Sequence, residues 1–553
     1  MRTKPPLSPR RPLHVAQREH AAQRDWRRVD NAMQRAGSYR HPAGRIRRIE
    51  THISVIYLAG RFAYKVKKPV NPGFVDLTRP AARLRYCNEE VRLNRRLARG
   101  LYLEVVPIVS TGRSFRVGGP GKAAGHAVKM RRFAEADVFS QLLECGELGV
   151  PHVARFACEL AAFHGHASGA QQRNAPRTAF GSSALVREQM TGVLNALERE
   201  APALVPVEVH LWCQQEATRL APHFDARRRM GFVRECHGDL HLDNIMRKGG
   251  DIAMFDCIEF SDALRWIDVA SDLAFPLMDL KVRGHDDLAA HLLNDWLQLT
   301  GDFGALSVMR FYMVYRALVR ALVAILKAPV ARTADGYASA RAYVAFARRT
   351  VRADPPCLLL CHGYSGSGKS AASAALAPLI GAIRLSSDVE RKRERPLSRP
   401  VFRALPAAAY TSHAIHTHYT ALLAITRDAL VAGYPMLVDA TFLKELDRRR
   451  FIELANMLSM PVFILNFHAR PRTLVERVRG RASGPFQTSD AGTLVLVRQL
   501  ANEEPLSPEE CLMTISFDTD VARNSFGHLQ YWQPLLEQLG ADRVASKEEA
   551  AIV

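Results

Sequence analysis

The spacing of hydrophobic and polar positions changes along the chain and predicts distinct segments. In the stretch 49–68, the β-rich run Ile53–Leu58 and the alternating run Arg61–Lys67 predict a β-hairpin. A helical spacing of apolar residues follows over 80–99, and short strands are predicted over 101–134. Up to about residue 135, the pattern therefore predicts strands, one helix and further strands.

The remainder of the chain carries two further kinds of pattern. Residues 136–232 and 264–350 are mainly helical in spacing, and 233–260 contains a loop-rich stretch and a β-like run, Ile252–Phe260. After a break at Asp354-Pro355-Pro356, strand and helix patterns alternate over 357–540, which predicts a parallel α/β sheet. We predict the main domain boundary at about 350–356.

Composition adds a basic leader to this picture. The 553 residues carry a formal charge of +21, with 48% hydrophobic and 24% charged residues, which excludes fibrous, disulfide-scaffold and wholly disordered classes. Residues 1–48 hold thirteen basic and three acidic residues, a net +10, together with five prolines. We predict a basic, mostly disordered leader over 1–48 that could contain a short helix near Val15–Ala36, and we favour a solvated tail over a nucleic-acid arm. A short tail is predicted over 541–553.

Cysteine usage and hydropathy bear on the compartment. Nine cysteines stand at scattered spacings with no CxxC motif, which favours a reducing cytoplasm. No window approaches the ~18 consecutive apolar residues of a membrane span. We therefore expect a cytoplasmic protein with no membrane partner.

The segment Gly363–Ser370 fits the phosphate-binding pattern G-x-x-x-x-G-K-[ST] at each required position. An apolar strand precedes it and an alanine-rich helix follows, so backbone N–H groups and the helix N-terminus can surround phosphate oxygens. Lys369 is expected to bridge the β and γ phosphates of ATP, and the Ser370 hydroxyl to ligate Mg²⁺. The candidate nucleotide-binding residues are Gly363, Ser365, Gly366, Ser367, Gly368, Lys369 and Ser370.

Four later residues are candidates for the same site. Asp388 and Asp439 each follow an apolar strand, where a carboxylate can face the crevice beyond a parallel sheet. Asp388 could hold Mg²⁺ or activate an acceptor hydroxyl, and Asp439 is a candidate metal ligand. Arg477 and Arg481, four residues apart on a predicted helix, could clamp the transferring phosphate or form a solvent-facing basic stripe.

A second constellation lies near the middle of the chain. His237-Gly-Asp239 and Asn244 have the spacing H-x-D-x-x-x-x-N, which resembles the catalytic loop of protein kinases, and Asp256 follows twelve residues later. That resemblance implies Asp239 as the base at an acceptor hydroxyl and Asn244 as a Mg²⁺ ligand. Asp256 can hold another face of the metal, and His237 is expected to brace the loop.

Two upstream residues could complete this constellation. Lys65, in the strand pattern Ala-x-Lys, would pair with nucleotide phosphates, and Glu90 on the following helix could hold it in place. Lys67 points to the same face of the strand and is the rival of Lys65. Glu89 is likewise the rival of Glu90.

The residues of 49–330 resemble the aminoglycoside phosphotransferase and choline-kinase-like family, through His237–Asn244, Asp256 and Asp272-Leu-Ala. This resemblance implies a two-lobed protein-kinase-like fold that phosphorylates small-molecule hydroxyls with MgATP. Two departures are Asp256-Cys257 in place of the usual pattern, and the glycine-free segment Glu50–Ser54 where a nucleotide-covering loop would lie.

The last 180 or so residues resemble small P-loop kinases of the polynucleotide-kinase and zeta-toxin type. The resemblance rests on the phosphate-binding loop, the Asp388 and Asp439 segments, the two arginines, and Ser489-Asp490-Ala491 followed by Gln499. The lid, Ala482–Pro485, has few basic residues, so a nucleic-acid substrate is not favoured. The two modules in this order resemble a bacterial group of fused phosphotransferase-like and P-loop ATP-binding proteins.

The fold class is therefore predicted as mixed α/β and α+β, a kinase-like fold followed by a P-loop domain with a parallel sheet. The predicted domains are an N-lobe over 49–135, a helical C-lobe over 136–350 and a P-loop domain over 357–540. We expect a phosphotransferase with two ATP and Mg²⁺ sites and small-molecule hydroxyl acceptors. The alternatives are a pseudokinase coupled to a P-loop ATPase switch, and a polynucleotide-end kinase.

Overall fold

The protein is described by a computed structural model covering residues 24–73, 75–112, 114–167, 179–327, 334–352, 355–398, 400, 405–481 and 492–540. The strands are β1 Arg47–Glu50, β2 Ser54–Ala59, β3 Phe62–Lys67, β4 Tyr102–Ser110, β5 Phe115–Val117, β6 Ala123–Arg131, β7 Val233–Glu235, β8 Ile245–Lys248, β9 Asp251–Met254, β10 Trp266–Asp268, β11 Leu358–His362, β12 Ile383–Ser386, β13 Met436–Asp439, β14 Val462–His468 and β15 Thr514–Asp518.

The helices begin with α1, residues 24–33. They continue with α2 Pro80–Asn94, α3 Phe139–Glu144, α4 Val150–His166, α5 Ser183–Glu200, α6 Val207–Arg219, α7 Ala221–Arg229, α8 Asp262–Arg265, α9 Val269–Val282, α10 Asp286–Thr300, α11 Leu306–Lys327, α12 Ala334–Val351, α13 Lys369–Leu379, α14 Ser387–Arg391, α15 Ser412–Val431, α16 Glu445–Met457, α17 Pro471–Arg481, α18 Thr493–Asn502, α19 Pro508–Leu512 and α20 Gln533–Gln538.

The chain separates into two compact units. The first unit comprises residues up to 147 together with 237–265, and the second comprises 148–236 together with 266 onward. This division differs from the predicted one, because the helices that precede and follow residues 237–265 in the chain belong to the same unit as the P-loop region. The predicted domain boundaries stay a prediction.

The first unit is built on a six-stranded antiparallel sheet in the order β1-β2-β3-β6-β4-β5. Alternate residues of β2 face opposite sides, as the period of a strand requires. Val55 and Tyr57 enter one buried cluster, whereas Ile56 packs with Cys87 and Val91 of α2 on the other face. The predicted hairpin is confirmed as β2 and β3, and α2 lies within the predicted helical stretch.

Residues 24–48 are folded, in contrast to the mostly disordered leader predicted, and α1 lies within the short helix predicted near 15–36. Helix α1 presents Val29, Ala32 and Met33 at helical spacing, and these residues are buried against the sheet beside Tyr39. The Tyr57 hydroxyl donates to Asp30, which also binds Arg48 at 3.0 Å. An apolar stripe therefore anchors this segment despite its basic composition. Residues 1–23 and the tail over 541–553 lie outside the described residues.

The helical part of the second unit is organised around α9, whose residues Val269–Leu280 are buried. Helices α10 and α11 both pack on α9, and α10 also packs on α4. Among the described residues, no helix has both the length and the apolar content to cross a bilayer.

The second unit also contains a five-stranded parallel sheet in the order β12-β13-β11-β14-β15. Its central strand β11 is fully buried and leads into the phosphate-binding loop and helix α13. A parallel sheet places ligand-binding loops at the carboxyl ends of its strands, and the loop after β11 lies there. The predicted fold class, a kinase-like fold followed by a P-loop domain with a parallel sheet, is confirmed. The predicted β-like run 252–260 is corrected to β9, which ends at Met254.

Candidate active sites

In the first unit, His237 fixes the shape of the loop that carries Asp239. The buried ring places Nε2 2.8 Å from the Phe255 carbonyl, and the Asp239 backbone N–H donates to Nδ1 at 3.3 Å. With these partners, Nε2 is the donor to the carbonyl and Nδ1 is the acceptor. Gly238 has φ +87°, and a Cβ there would lie 2.6 Å from the Leu264 carbonyl oxygen. The loop therefore requires glycine at that position.

Asn244 joins Asp239 through the same loop. Its Nδ2 group donates to the Asp239 backbone carbonyl at 2.9 Å and lies 3.4 Å from Asp239 Oδ2. Asn244 is buried, whereas the Asp239 side chain is 38% exposed. The amide thus orients a carboxylate that solvent or an acceptor can reach. Because Nδ2 is used in this way, Oδ1 is the atom that Asn244 can offer to a cation.

Asp256 reaches the same place from the end of β9. The Phe255 N–H donates to the Asn244 carbonyl at 2.9 Å, and the Asp256 N–H donates to the Tyr102 hydroxyl at 3.2 Å. Asp256 has φ +63°. Residues other than glycine seldom adopt this conformation, but aspartate tolerates it. Its side chain is 42% exposed and forms an ion pair with Lys65.

The structure separates the two rival lysines of β3. Lys65 Nζ lies 2.9 Å from one oxygen of Glu90 and also contacts Asp256. Lys67 Nζ lies 2.7 Å from the other oxygen of Glu90 and 2.5 Å from Glu259. Glu89 instead pairs with arginines on the helix surface and in α8. Lys65 therefore contacts both Glu90 and Asp256, whereas Lys67 is enclosed by Glu90 and Glu259.

Neighbouring charges keep Lys65 and Glu90 ionised although both side chains are buried. Burial by itself would lower the pKa of Lys65, but Asp256 and Glu90 raise that pKa well above its ordinary value. Burial would likewise raise the pKa of Glu90, yet Lys65 and Lys67 lower it to about 2. A charged lysine is thus held next to Asp256, where a nucleotide phosphate could displace or share the contact.

The segment between β1 and β2 forms a tight turn without glycine. The Thr51 N–H donates to the Ser54 carbonyl at 2.9 Å, and the Ser54 N–H donates to the Thr51 hydroxyl at 3.0 Å. This turn lies where the sequence predicted the nucleotide-covering loop.

In the second unit, the glycines of the phosphate-binding loop adopt conformations that side chains disfavour. Gly363, Gly366 and Gly368 have φ values of +140°, +90° and +84°. A Cβ at Gly363 would lie 2.4 Å from the Phe467 carbonyl oxygen, inside the distance that backbone atoms tolerate. The Ser365 N–H donates to Gln499 Oε1 at 2.9 Å, so the segment beyond the lid contacts the loop.

The end of the loop meets the carboxylate predicted from β13. The Ser370 hydroxyl donates to Asp439 Oδ1 at 3.3 Å, and Asp439 is buried. Lys369 donates to the Tyr364 carbonyl across the loop at 3.3 Å. The buried Ser367 hydroxyl has no hydrogen-bond partner among the described residues.

A cavity of about 470 Å³ opens beside this loop. Gly368, Ser370 and Asp388 line it together with Arg477, so four predicted site residues share one cavity. Arg477 donates to the Thr519 carbonyl at 2.6 Å and to the Gly366 carbonyl at 3.3 Å, which orients its guanidinium next to the loop. The Arg481 side chain, Ala482–Pro485 and Ser489–Ala491 lie outside the described residues.

Sequence reasoning missed three residues of these sites. Arg384 lines the cavity and donates to Asp439 Oδ2 at 2.5 Å. Its signal was available, since it is the charged residue in the otherwise buried strand Ile383–Ser386. Lys67 was considered only as a rival of Lys65. Nothing in the sequence pointed to Glu259, because it lies 192 residues from its partner Lys67.

Two family models match the chain, each over part of its length. Residues 63–312 match the phosphotransferase enzyme family. Residues 358–506 match an AAA domain model. The predicted resemblance is thus confirmed in both parts, and the phosphotransferase match contains the residues from Lys65 to Asp256.

Among known proteins, an uncharacterized protein of Mycobacterium tuberculosis strain H37Rv is 28% identical over 460 residues, covering 81% of this chain and 89% of its own. An uncharacterized protein of Mycobacterium bovis matches to the same extent. An alignment of this length includes residues of both the phosphotransferase and the AAA region.

Two solved structures are similar to part of this chain. A choline/ethanolamine kinase family protein from Mesorhizobium loti is 15% identical, covers 56% of this chain and 90% of its own, and has a TM-score of 0.37. A gluconokinase from Sinorhizobium meliloti 1021 is 22% identical, covers 34% of this chain and 97% of its own, and has a TM-score of 0.24.

Proposed function

We propose that this phosphotransferase-family chain uses MgATP at two separate nucleotide sites and transfers phosphoryl groups to hydroxyls of small molecules in the cytoplasm. The observation that carries the proposal is the convergence of Lys65, Asp239, Asn244 and Asp256 in the first unit. The half-exposed Asp239 carboxylate, the cation-binding oxygens of Asn244 and Asp256, and the charged lysine form one surface there. Phosphoryl transfer needs these parts, because its catalysis is mainly positioning and charge neutralisation.

The donor atoms at the first site suit a hard divalent cation. Asn244 Oδ1 and the Asp256 carboxylate are oxygen ligands of the kind that Mg²⁺ prefers. Bound Mg²⁺ would neutralise charge on the nucleotide phosphates as transfer proceeds. Lys65 would hold the α and β phosphates, and Glu90 would keep Lys65 in position. Asp239 would accept the proton of the acceptor hydroxyl or orient it for attack.

The second site offers a different arrangement for the same chemistry. Backbone N–H groups of the phosphate-binding loop and Lys369 would surround the β and γ phosphates. The Ser370 hydroxyl and Asp439 already lie within hydrogen-bonding distance and would hold Mg²⁺. Asp388 lines the adjoining cavity and would face the acceptor, while Arg477 would bind the transferring phosphate.

The test is ATP consumption by the full chain across sugars, amino alcohols, aminoglycosides and nucleic-acid ends. The wild type, Asp239→Asn and Lys369→Ala are compared, with Asp243→Asn as the control. Asp243 lies in the same loop and is 45% exposed, close to the exposure of Asp239. Each site variant should abolish activity towards one acceptor class, while the control keeps both.

The result bears on the alternatives as well. If acceptor-dependent consumption survives Asp239→Asn at full rate and vanishes in Lys369→Ala, the first site does not transfer phosphate. Activity confined to nucleic-acid ends would contradict the small-molecule acceptor.

A further inference from the structure

Helix α10 covers the open edge of the P-loop sheet. Strand β12 is an edge strand, and such an edge leaves backbone groups without partners in the sheet. On β12, the Arg384 N–H donates to Asn294 Oδ1 at 2.8 Å, and Gln298 donates to the Arg384 carbonyl at 2.6 Å. Asn294 also donates to the Ala382 carbonyl at 2.9 Å. Two amide side chains thus occupy the positions that a further strand would fill.

Arg384, which these two amides hold, directly contacts Asp439, the candidate magnesium ligand. Arg384 Nη2 lies 2.5 Å from Asp439 Oδ2, and its Nε donates to the Ser373 hydroxyl at 2.9 Å. The other oxygen of Asp439 accepts from Ser370. Arg384 therefore fixes the rotation of the Asp439 carboxylate and presents Oδ1 to the phosphate-binding loop.

The carboxyl end of α10 is joined to the segment that carries Asp388. Arg393 donates to the Gln298 and Leu299 carbonyls at 2.6 and 3.1 Å, where a cation is favoured by the helix dipole. The Leu397 N–H donates to the Thr300 carbonyl at 2.7 Å. Arg393 lies two residues beyond α14, so the segment that carries Asp388 is also joined to α10.

The opposite face of α10 is anchored in the buried helical core. Trp296 donates to His164 Nδ1 at 3.2 Å, and His164 Nε2 lies 3.2 Å from Asp272. Cys236 lies close enough to complete a three-ligand metal group. However, a donor on Nδ1 requires the proton on Nε2, which then donates to Asp272, so this cluster fits a structural hydrogen-bond chain. It gives α10 a fixed position.

We propose that Asn294 and Gln298 are positioning residues of the P-loop site, acting through Arg384 on Asp439. Helix α10 lies inside the phosphotransferase match, and β12 lies inside the AAA match. The two family regions therefore share the construction of one nucleotide site. The inference rests on the proposed MgATP binding at the phosphate-binding loop.

The test uses the full chain with Lys65→Met as background, so that calorimetry reports MgATP binding at the P-loop site. Asn294→Ala with Gln298→Ala is compared with Gln214→Ala plus Gln215→Ala, a matched pair of exposed amides on α6. The first pair should raise the Mg²⁺ concentration for half-maximal ATP binding about tenfold, as loss of residues that orient a metal ligand does. The control pair should leave it unchanged.

Gln298→Ala alone removes one of the three amide bonds and should give a smaller shift in the same direction. An unchanged Mg²⁺ dependence in both α10 variants, whatever their thermal stability, overturns the inference. Absence of binding that depends on Lys369 in the background protein overturns the proposed P-loop function and the inference with it. A change in melting temperature with an unchanged Mg²⁺ requirement would identify the amides as merely structural, and also overturns it.

Discussion

The two lysines of β3 should prove to have different roles when each is replaced by methionine. Lys67 is 1% exposed and is enclosed by Glu90 and Glu259. Lys65 is 9% exposed and reaches Asp256 at the half-exposed part of the site. We therefore predict that Lys67→Met mainly lowers stability, whereas Lys65→Met mainly abolishes nucleotide binding.

The magnitudes follow from what each change leaves behind. Lys67→Met leaves Glu259 buried without its lysine, and removing one partner of a buried ion pair costs about 3–5 kcal/mol. That is a large share of the ~5–15 kcal/mol that stabilises a typical protein. Lys65→Met leaves Glu90 paired with Lys67, and the half-exposed Asp256 regains water, so the loss of stability should be smaller than in Lys67→Met.

Urea unfolding measures the stability lost in each variant. Calorimetric ATP binding in a Lys369→Ala background measures the loss of nucleotide binding. Lys67→Met combined with Glu259→Gln removes both charges and should recover part of the lost stability. Unchanged stability of Lys67→Met would refute the reasoning. So would loss of ATP binding in folded Lys67→Met while Lys65→Met still binds.

Three further predictions concern the second unit. Gly366→Ala places a Cβ 2.7 Å from the Leu474 carbonyl oxygen at φ +90° and should weaken P-loop ATP binding roughly 100-fold by calorimetry; near-normal affinity would contradict this. Arg448→Met strands the buried Glu510, which it binds at 2.7 and 2.9 Å, and should cost about 3–5 kcal/mol in urea unfolding; a loss below about 1 kcal/mol would argue against it. Burial raises the pKa of Asp295 from 3.8 to about 6, so its ionisation opposes folding as pH rises, and Asp295→Asn should stabilise the protein by up to about 3 kcal/mol at pH 7 but not below pH 4. Equal stability of wild type and Asp295→Asn across that range would refute the assignment.

Local motifs could be predicted because consecutive residues determine their geometry. The phosphate-binding loop needs glycine where φ is positive, and Gly363 and Gly368 stand at such positions. The loop from His237 to Asn244 is similarly short, and one histidine closes it through its two ring nitrogens. The resemblance of this spacing to a kinase catalytic loop pointed to Asp239 and Asn244, which lie in hydrogen-bond contact.

Contacts between distant segments could not be predicted in the same way. Asn294 and Gln298 are ordinary amides on a helix, and nothing near them in sequence indicates the edge of β12. Glu259 contacts Lys67 only because the segment after β9 lies against the sheet. The leader was predicted to be mostly disordered because arginines dominate its composition. A short helix was predicted there, but not that its Val29 and Met33 pack against the sheet.

The claim of two nucleotide sites is tested most directly by the stoichiometry of ATP binding to the full chain in the presence of Mg²⁺. The account predicts two ATP per chain for the wild type, one each for Lys65→Met and Lys369→Ala, and none for the double variant. A wild-type stoichiometry of one that Lys369→Ala abolishes would contradict a nucleotide site in the first unit.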